Sequence, residues 1–147
     1  MQAIVVKQKG RGSVCRAEIP SPGPGEVLVQ VKAAGLCGSD LHIYHGTYPA
    51  VYPLIQGHEF SGVVEKIGSA VTSLHVGDHV TVDPNIYCGS CHYCKIGKKN
   101  LCRNLFAIGV NRDGGFAERC VVPEKQCVVL DKTIPLEYGA MTEPLAC

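Results

Sequence analysis

The chain has 147 residues, 46% of them hydrophobic and 18% charged, with a formal net charge of +1. That is the length and balance of one globular domain with its own core, and a charge near zero gives no electrostatic case for nucleic acid or an anionic membrane. No apolar run reaches the length of a bilayer span and no secretory leader is visible, so a cytoplasmic protein without membrane contact is expected.

The first segment alternates apolar and polar residues, which predicts a strand over Gln2–Lys7. Pro20-Ser-Pro-Gly-Pro-Gly25 is a rigid turn leading into a second strand, Glu26–Ala33. Ser39 is expected to cap a short helical turn through Asp40, Leu41, Ile43 and Tyr44, ended by Gly46. Further strands are expected at Phe60–Ile67, His79–Asp83, Phe116–Val122 and Cys127–Leu130. Pro135–Cys147 reads as a helix, with Leu136, Ala140 and Leu145 on one face. Short strands punctuated by 17 glycines and nine prolines predict a mainly β domain over 1–147, a barrel or sandwich with a few short helices.

Nine cysteines in an intracellular chain suggest metal more than disulfides. Cys88-Gly-Ser-Cys91-His-Tyr-Cys94 is followed after seven residues by Cys102. Two-residue gaps turn the chain back on itself and let thiolates converge on one ion. Four thiolates make a closed structural zinc site, and the same softness admits an iron–sulfur cluster. The metal would staple a lobe with little core of its own. This pattern speaks for metal and not for activity, because a zinc-stabilised binding or scaffold domain uses similar spacings. His92 reads as a solvent-facing filler, and Lys95, Lys98, Lys99 and Arg103 as a solvated loop. Cys15, Cys120 and Cys127 read as small buried hydrophobes, and no role follows for Cys147.

A second set of candidate ligands is scattered. Cys37 opens Cys37-Gly-Ser-Asp-Leu-His42, His58 and Glu59 lie in Gly57-His-Glu-Phe-Ser-Gly62, and Glu143 sits in Thr142-Glu-Pro-Leu. Thiolate, imidazole and carboxylate are all ordinary zinc ligands. Their spacing leaves convergence open, since a hydrogen-bonded histidine near a strand end explains His58 as well.

Gly57-His58-Glu59-x-x-Gly62, followed by Gly68 and Val71, resembles the signature of zinc-containing alcohol dehydrogenases of the medium-chain superfamily. The Cys37–His42 segment is similar to that family's first zinc-ligand segment, and the four-cysteine loop to its structural zinc lobe. Gly114-Gly115-Phe116-Ala117-Glu118 resembles the strand that follows, and Glu143-Pro144-Leu145 resembles the polyol branch that includes sorbitol and threonine dehydrogenases. The resemblance covers essentially the whole chain.

It implies a GroES-like β-barrel with a zinc-stapled lobe and two zinc ions per chain. Cys88, Cys91, Cys94 and Cys102 would hold the structural ion. Cys37 and His58 would hold a catalytic ion, with Glu59 and Glu143 as direct ligands or close partners. The implied reaction is NAD- or NADP-dependent oxidation of a secondary alcohol or sugar alcohol to a ketone. Ser39 would take the hydroxyl proton and His42 would pass it toward solvent, with His45 a lesser candidate. Asp40 would hold the loop or the zinc-ligating imidazole, while Tyr44, Tyr48 and Tyr52 would line a pocket or simply pack. The dinucleotide fingerprint Gly-x-Gly-x-x-Gly does not occur, and Gly109-Val-Asn-Arg-Asp-Gly114-Gly115 has the wrong spacing for it. Family members are more than twice this length and form homo-oligomers. The resemblance therefore implies the catalytic domain of a longer enzyme, cut before its cofactor domain and inactive in hydride transfer by itself.

Overall fold

The computed structural model describes all residues, Met1–Cys147. Strands β1 (Gln2–Gln8) and β2 (Arg11–Arg16) form a hairpin, and β4 (Leu54–Ile55) adds to the other edge of β1. The larger sheet is built from β3 (Glu26–Ala34), β5 (Phe60–Ile67), β6 (His79–Val82), β9 (Arg119–Pro123) and β10 (Cys127–Leu130). Its order is β10-β6-β5-β3-β9, and its paired strands are antiparallel. A two-stranded ribbon, β7 (Asn85–Ile86) with β8 (Phe106–Ala107), frames the cysteine lobe.

Residues 116–118 join the two main sheets. The Ile4 N–H donates to the Phe116 carbonyl at 2.8 Å and the Glu118 N–H to the Gln2 carbonyl at 3.1 Å, while the Val31 N–H reaches the Glu118 carbonyl at 3.0 Å. Because this segment serves β1 and β3 at once, the strand expected from Phe116 begins only at Arg119. β2, β4, β7 and β8 were not expected from sequence. β2 is largely exposed and carries Gly12 and two arginines, so it has no alternating apolar signal, and the other three have only two residues each.

The core is formed by the larger sheet, with Val27, Val29, Phe60, Val64, Val80, Val82, Cys120 and Val122 from its strands and Leu74 and Ile108 from connecting segments. β3 sits inside the sheet, and Val27, Leu28 and Val29 are buried in succession because both its faces are covered. Cys120 is buried, as expected; Cys15 and Cys127 are only half-buried. Burial still pushes the thiols of Cys120 and Cys127 up to about 12, which leaves both protonated and inert.

Helices are short. α1 spans Gly38–His45 and α2 spans His92–Lys95. The helix expected over Pro135–Cys147 is two pieces, α3 (Leu136–Ala140) and α4 (Thr142–Ala146). Pro144 is the cause: it has no N–H for the Ala140 carbonyl and its ring would clash there, so it is accommodated only in the first turn of a new helix. The break also turns Leu145 into solvent, leaving Ala140 as the buried member of the expected face. No helix is long and apolar enough to cross a membrane.

Candidate metal centres

Cys37 stands at the junction of β3 and α1. It, and not Ser39, is the residue that caps α1. The Cys37 N–H donates to Asp40 Oδ2 at 2.9 Å, a reciprocal start in which the carboxylate reaches back one turn. At the far end Gly46 takes φ 69° and satisfies the last carbonyls, as the sequence suggested.

His58 and Glu59 come from the loop between β4 and β5. That loop is held by a second loop laid across it: the N–H groups of Gly114, Gly115 and Phe116 donate to the carbonyls of Ile55, Gly57 and Gln56 at 2.8, 2.7 and 2.9 Å. Gly57 has φ 94°, and a Cβ there would fall 2.5 Å from a ring carbon of Phe116, so both conformation and space call for glycine. Asp113 Oδ1 adds a bond from the Ile55 N–H at 2.8 Å. The loop is tied to α1 by Gln56, a buried residue whose Nε2 donates to the Asp40 carbonyl at 3.0 Å. Gln56 carried no signal in the sequence, because its partner is a backbone oxygen 16 residues away.

These constraints bring three of the expected residues together. Ligand atoms of Cys37, His58 and Glu59 lie within 4.8 Å of one another, with His58 and Glu59 buried. Asp40 is 2% exposed, and its Oδ1 faces His58 Nδ1 at 3.5 Å. Neither atom has another partner, so at this slightly long separation they are each other's counterpart. The Asp40 carboxylate is the main reason the His58 imidazole is raised to about 9; burial opposes it, and the Cys37 sulfur adds to it. The Asp40 carboxylate and the Cys37 sulfur that favour a proton there would also favour a metal cation. With Nδ1 turned to Asp40, Nε2 is the nitrogen left to coordinate, and Ser39 Oγ lies 3.4 Å from it.

Glu143 is not within that group of three. It lies half-buried in α4, where its Oε1 accepts from the Cys147 thiol at 3.2 Å. Glu143 above all, with Cys37 and Glu59 adding their charge, keeps that thiol above its ordinary range. Cys147, which had no role in the sequence, therefore stands beside Glu143 and within electrostatic reach of the cluster. His42 is exposed and its Nδ1 lies 3.1 Å from Thr47 Oγ1; His45 is exposed beside the Tyr44 ring. Tyr44 donates to the Gly10 carbonyl at 2.8 Å and Tyr52 to the Ile43 carbonyl, so both are committed to packing, while Tyr48 is 49% exposed.

The second centre lies in the lobe between β7 and β8. The sulfurs of Cys88, Cys91, Cys94 and Cys102 all lie within 4.8 Å of one another. Backbone amides point at them: the Cys91 N–H reaches Cys88 Sγ and the Cys88 N–H reaches Cys102 Sγ, each at 3.4 Å. Amides of Ser90 and Cys91 bring the Cys88 thiol down to about 6, which favours the thiolate form a metal binds. Burial and the neighbouring thiols push Cys94 up to about 12. Four sulfurs this close, with no disulfide among them, form the donor set zinc takes in a closed site, and the Cys, His and carboxylate set fits an open one. Around the lobe, Lys99 lies over the Tyr87 ring and Arg103 over the Tyr93 ring, which leaves Lys95 and Lys98 solvated.

Residues 23–132 match the alcohol dehydrogenase GroES-like domain. Among curated relatives, the starvation-sensing protein RspB of Escherichia coli K12 is 46% identical over 145 residues, covering 98% of this chain and 43% of the relative. The L-threonine 3-dehydrogenase of Pyrococcus horikoshii is 43% identical over 150 residues, with 99% and 43% covered. The NADP-bound crystal structure of a provisionally assigned zinc-binding dehydrogenase from Sinorhizobium meliloti 1021 superposes with a TM-score of 0.98 at 49% identity, over 99% of this chain and 43% of that one. The chain thus spans under half the length of the proteins it matches. With its mainly β fold, its four-sulfur lobe and its Cys, His and Glu cluster, the chain belongs to the alcohol dehydrogenase GroES-like domain family, in the threonine and sorbitol dehydrogenase branch of the zinc-dependent medium-chain dehydrogenases.

Proposed function

We propose that residues 1–147 are the catalytic zinc domain of a longer NAD- or NADP-dependent dehydrogenase that oxidises a secondary alcohol or sugar alcohol to a ketone. The cofactor domain would come from sequence outside this chain, and the assembled enzyme would be a homo-oligomer. The observation that carries this reading is the meeting of Cys37, His58 and Glu59 beside Asp40, apart from the four-cysteine lobe.

When bound at Cys37, His58 and Glu59, zinc supplies a Lewis acid that lowers the pKa of a substrate hydroxyl. The hydride would pass to the nicotinamide held by the cofactor domain, and this chain's own residues orient the site and move the proton. Asp40 keeps the His58 ring turned so that Nε2 faces the site. Ser39, 3.4 Å from that nitrogen, is the hydroxyl that accepts the substrate proton. His42, at the surface three residues along α1, takes it to solvent. Glu143 and Cys147 flank a cleft of about 310 Å³ whose lining includes Asp83 and Tyr87, polar groups for a hydroxylated substrate. Cys88, Cys91, Cys94 and Cys102 hold a second zinc whose role is structural.

Metal analysis of the purified chain tests this. Two zincs are expected, one lost on Cys37→Ser or His58→Ala and the other on Cys91→Ser or Cys94→Ser. A single zinc, insensitive to Cys37 and His58, would support a zinc-stapled binding domain instead.

A further inference from the structure

Glu59 is 7% exposed, yet its carboxylate ends no hydrogen bond or ion pair within the chain. Its polar neighbours do not fix where that carboxylate lies; its shape surroundings do. Gly35 follows β3 and continues the β3–β5 ladder, in which Ala33 and Ala34 stand opposite Ser61 and Phe60. The Gly35 N–H donates to the Glu59 carbonyl at 2.7 Å. A Cβ on Gly35 would lie 2.3 Å from Glu59 Oε2, 3.2 Å from its Cβ and 3.4 Å from its Cδ, and all three of those nearest atoms belong to Glu59. Gly35 is not among the glycines with positive φ, so its backbone would accept an L-residue. The nearest obstacle to a methyl group at position 35 is the Glu59 side chain itself.

We infer that Gly35 is a positioning residue: the space left by its missing side chain seats the Glu59 carboxylate beside Cys37 and His58 and so sets the metal affinity of that cluster. The inference rests on reading the cluster as a metal site. A methyl group at position 35 drives the carboxylate out of its seat while leaving Cys37 and His58 in place. Because the severe clash is with the far end of one flexible side chain and the contact with Glu59 Cβ asks for a shift of only a few tenths of an ångström, the fold should tolerate the change and the coordination should not.

The test is a double-mutant cycle of Gly35→Ala and Glu59→Ala in the full chain. Three quantities are read: zinc affinity of the Cys37/His58 site by chelator competition, the visible spectrum of cobalt(II) at that site, and thermal unfolding. Gly35→Ala is expected to weaken the site about tenfold or more, to shift the cobalt spectrum, and to leave the four-cysteine site unchanged. In the Glu59→Ala background the same substitution should change neither affinity nor spectrum, because the methyl enters the vacated space. If Gly35→Ala lowers the unfolding temperature, Glu59→Ala should restore it. Unchanged affinity and spectrum in Gly35→Ala, or equal losses in both backgrounds, would overturn the inference, as would a fold lost in both. A wild-type chain that binds one metal only would remove the catalytic reading, and the thermal cycle would then decide the seat: coupling keeps it and additivity removes it.

Discussion

Asp40 divides its two oxygens between the two segments that meet at the candidate catalytic centre, Oδ2 on the Cys37 N–H and Oδ1 toward His58 Nδ1. An isosteric Asp40→Asn keeps the size and removes the charge. It should lower metal affinity at the Cys37/His58 site about 10- to 100-fold, the usual effect of losing the partner of a ligating imidazole. Chelator competition should find the four-cysteine site unaffected. The Cys37-x-x-Asp40 spacing was visible in the sequence, as was the possibility that Asp40 holds an imidazole. That Cys37, and not Ser39, caps α1 was not, because serine is the commoner cap and a cysteine in that role carries little signal.

At the scale of elements, two hydroxyls dock α3 on the large sheet. Ser61 on β5 and Thr81 on β6, which stand opposite each other in register, donate to the carbonyls of Leu136 and Gly139, the latter at 2.8 Å. These bonds set where α4, with Glu143 and Cys147, emerges. Thr81→Val removes a donor without changing shape and leaves the Gly139 carbonyl unpaired, which should cost about 1–3 kcal/mol in urea unfolding. Elsewhere Glu26 joins the proline turn to the loop at Arg112, accepting from the Gly23 N–H at 2.9 Å and from Arg112 Nη2 at 2.7 Å. Burial raises its carboxyl pKa, but those two donors outweigh it and the net value falls below the ordinary 4.5. A depressed folded pKa means the stabilisation is fully present above the unfolded value and is lost as pH falls through the folded one. Glu26→Gln should therefore be less stable than the wild type by about 1 kcal/mol at neutral pH, since the pair is partly exposed. The difference should close in acid, which unfolding midpoints measured across that range would reveal.

The whole molecule divides into a packed β core and a lobe gathered around four cysteine sulfurs. Of the lobe's cysteines only Cys102 is buried, and Ile96, Leu101 and Phe106 are exposed. Stripping metal with a chelator should open residues 88–102 to limited proteolysis while protection of β3, β5 and β6 from hydrogen exchange persists. Phe60, fully buried in the core, should by contrast cost about 3–5 kcal/mol as Phe60→Ala with or without metal, read by chemical unfolding. Strands whose residues alternate or run apolar were legible in the sequence, as were the four-cysteine spacing and the Gly-His-Glu segment, because each depends on neighbours within a few positions. The edge hairpin, the break in the last helix and the Gln56 and Gly35 contacts were less so. By itself the sequence determined a mainly β domain, a four-cysteine lobe with metal-site spacing and the family signature, since those are written in local periodicity and short loops. Only the tertiary structure decided that Cys37, His58 and Glu59 meet while Glu143 stands apart beside Cys147, because convergence of distant segments is set by sheet register and loop-on-loop packing, which no spacing encodes.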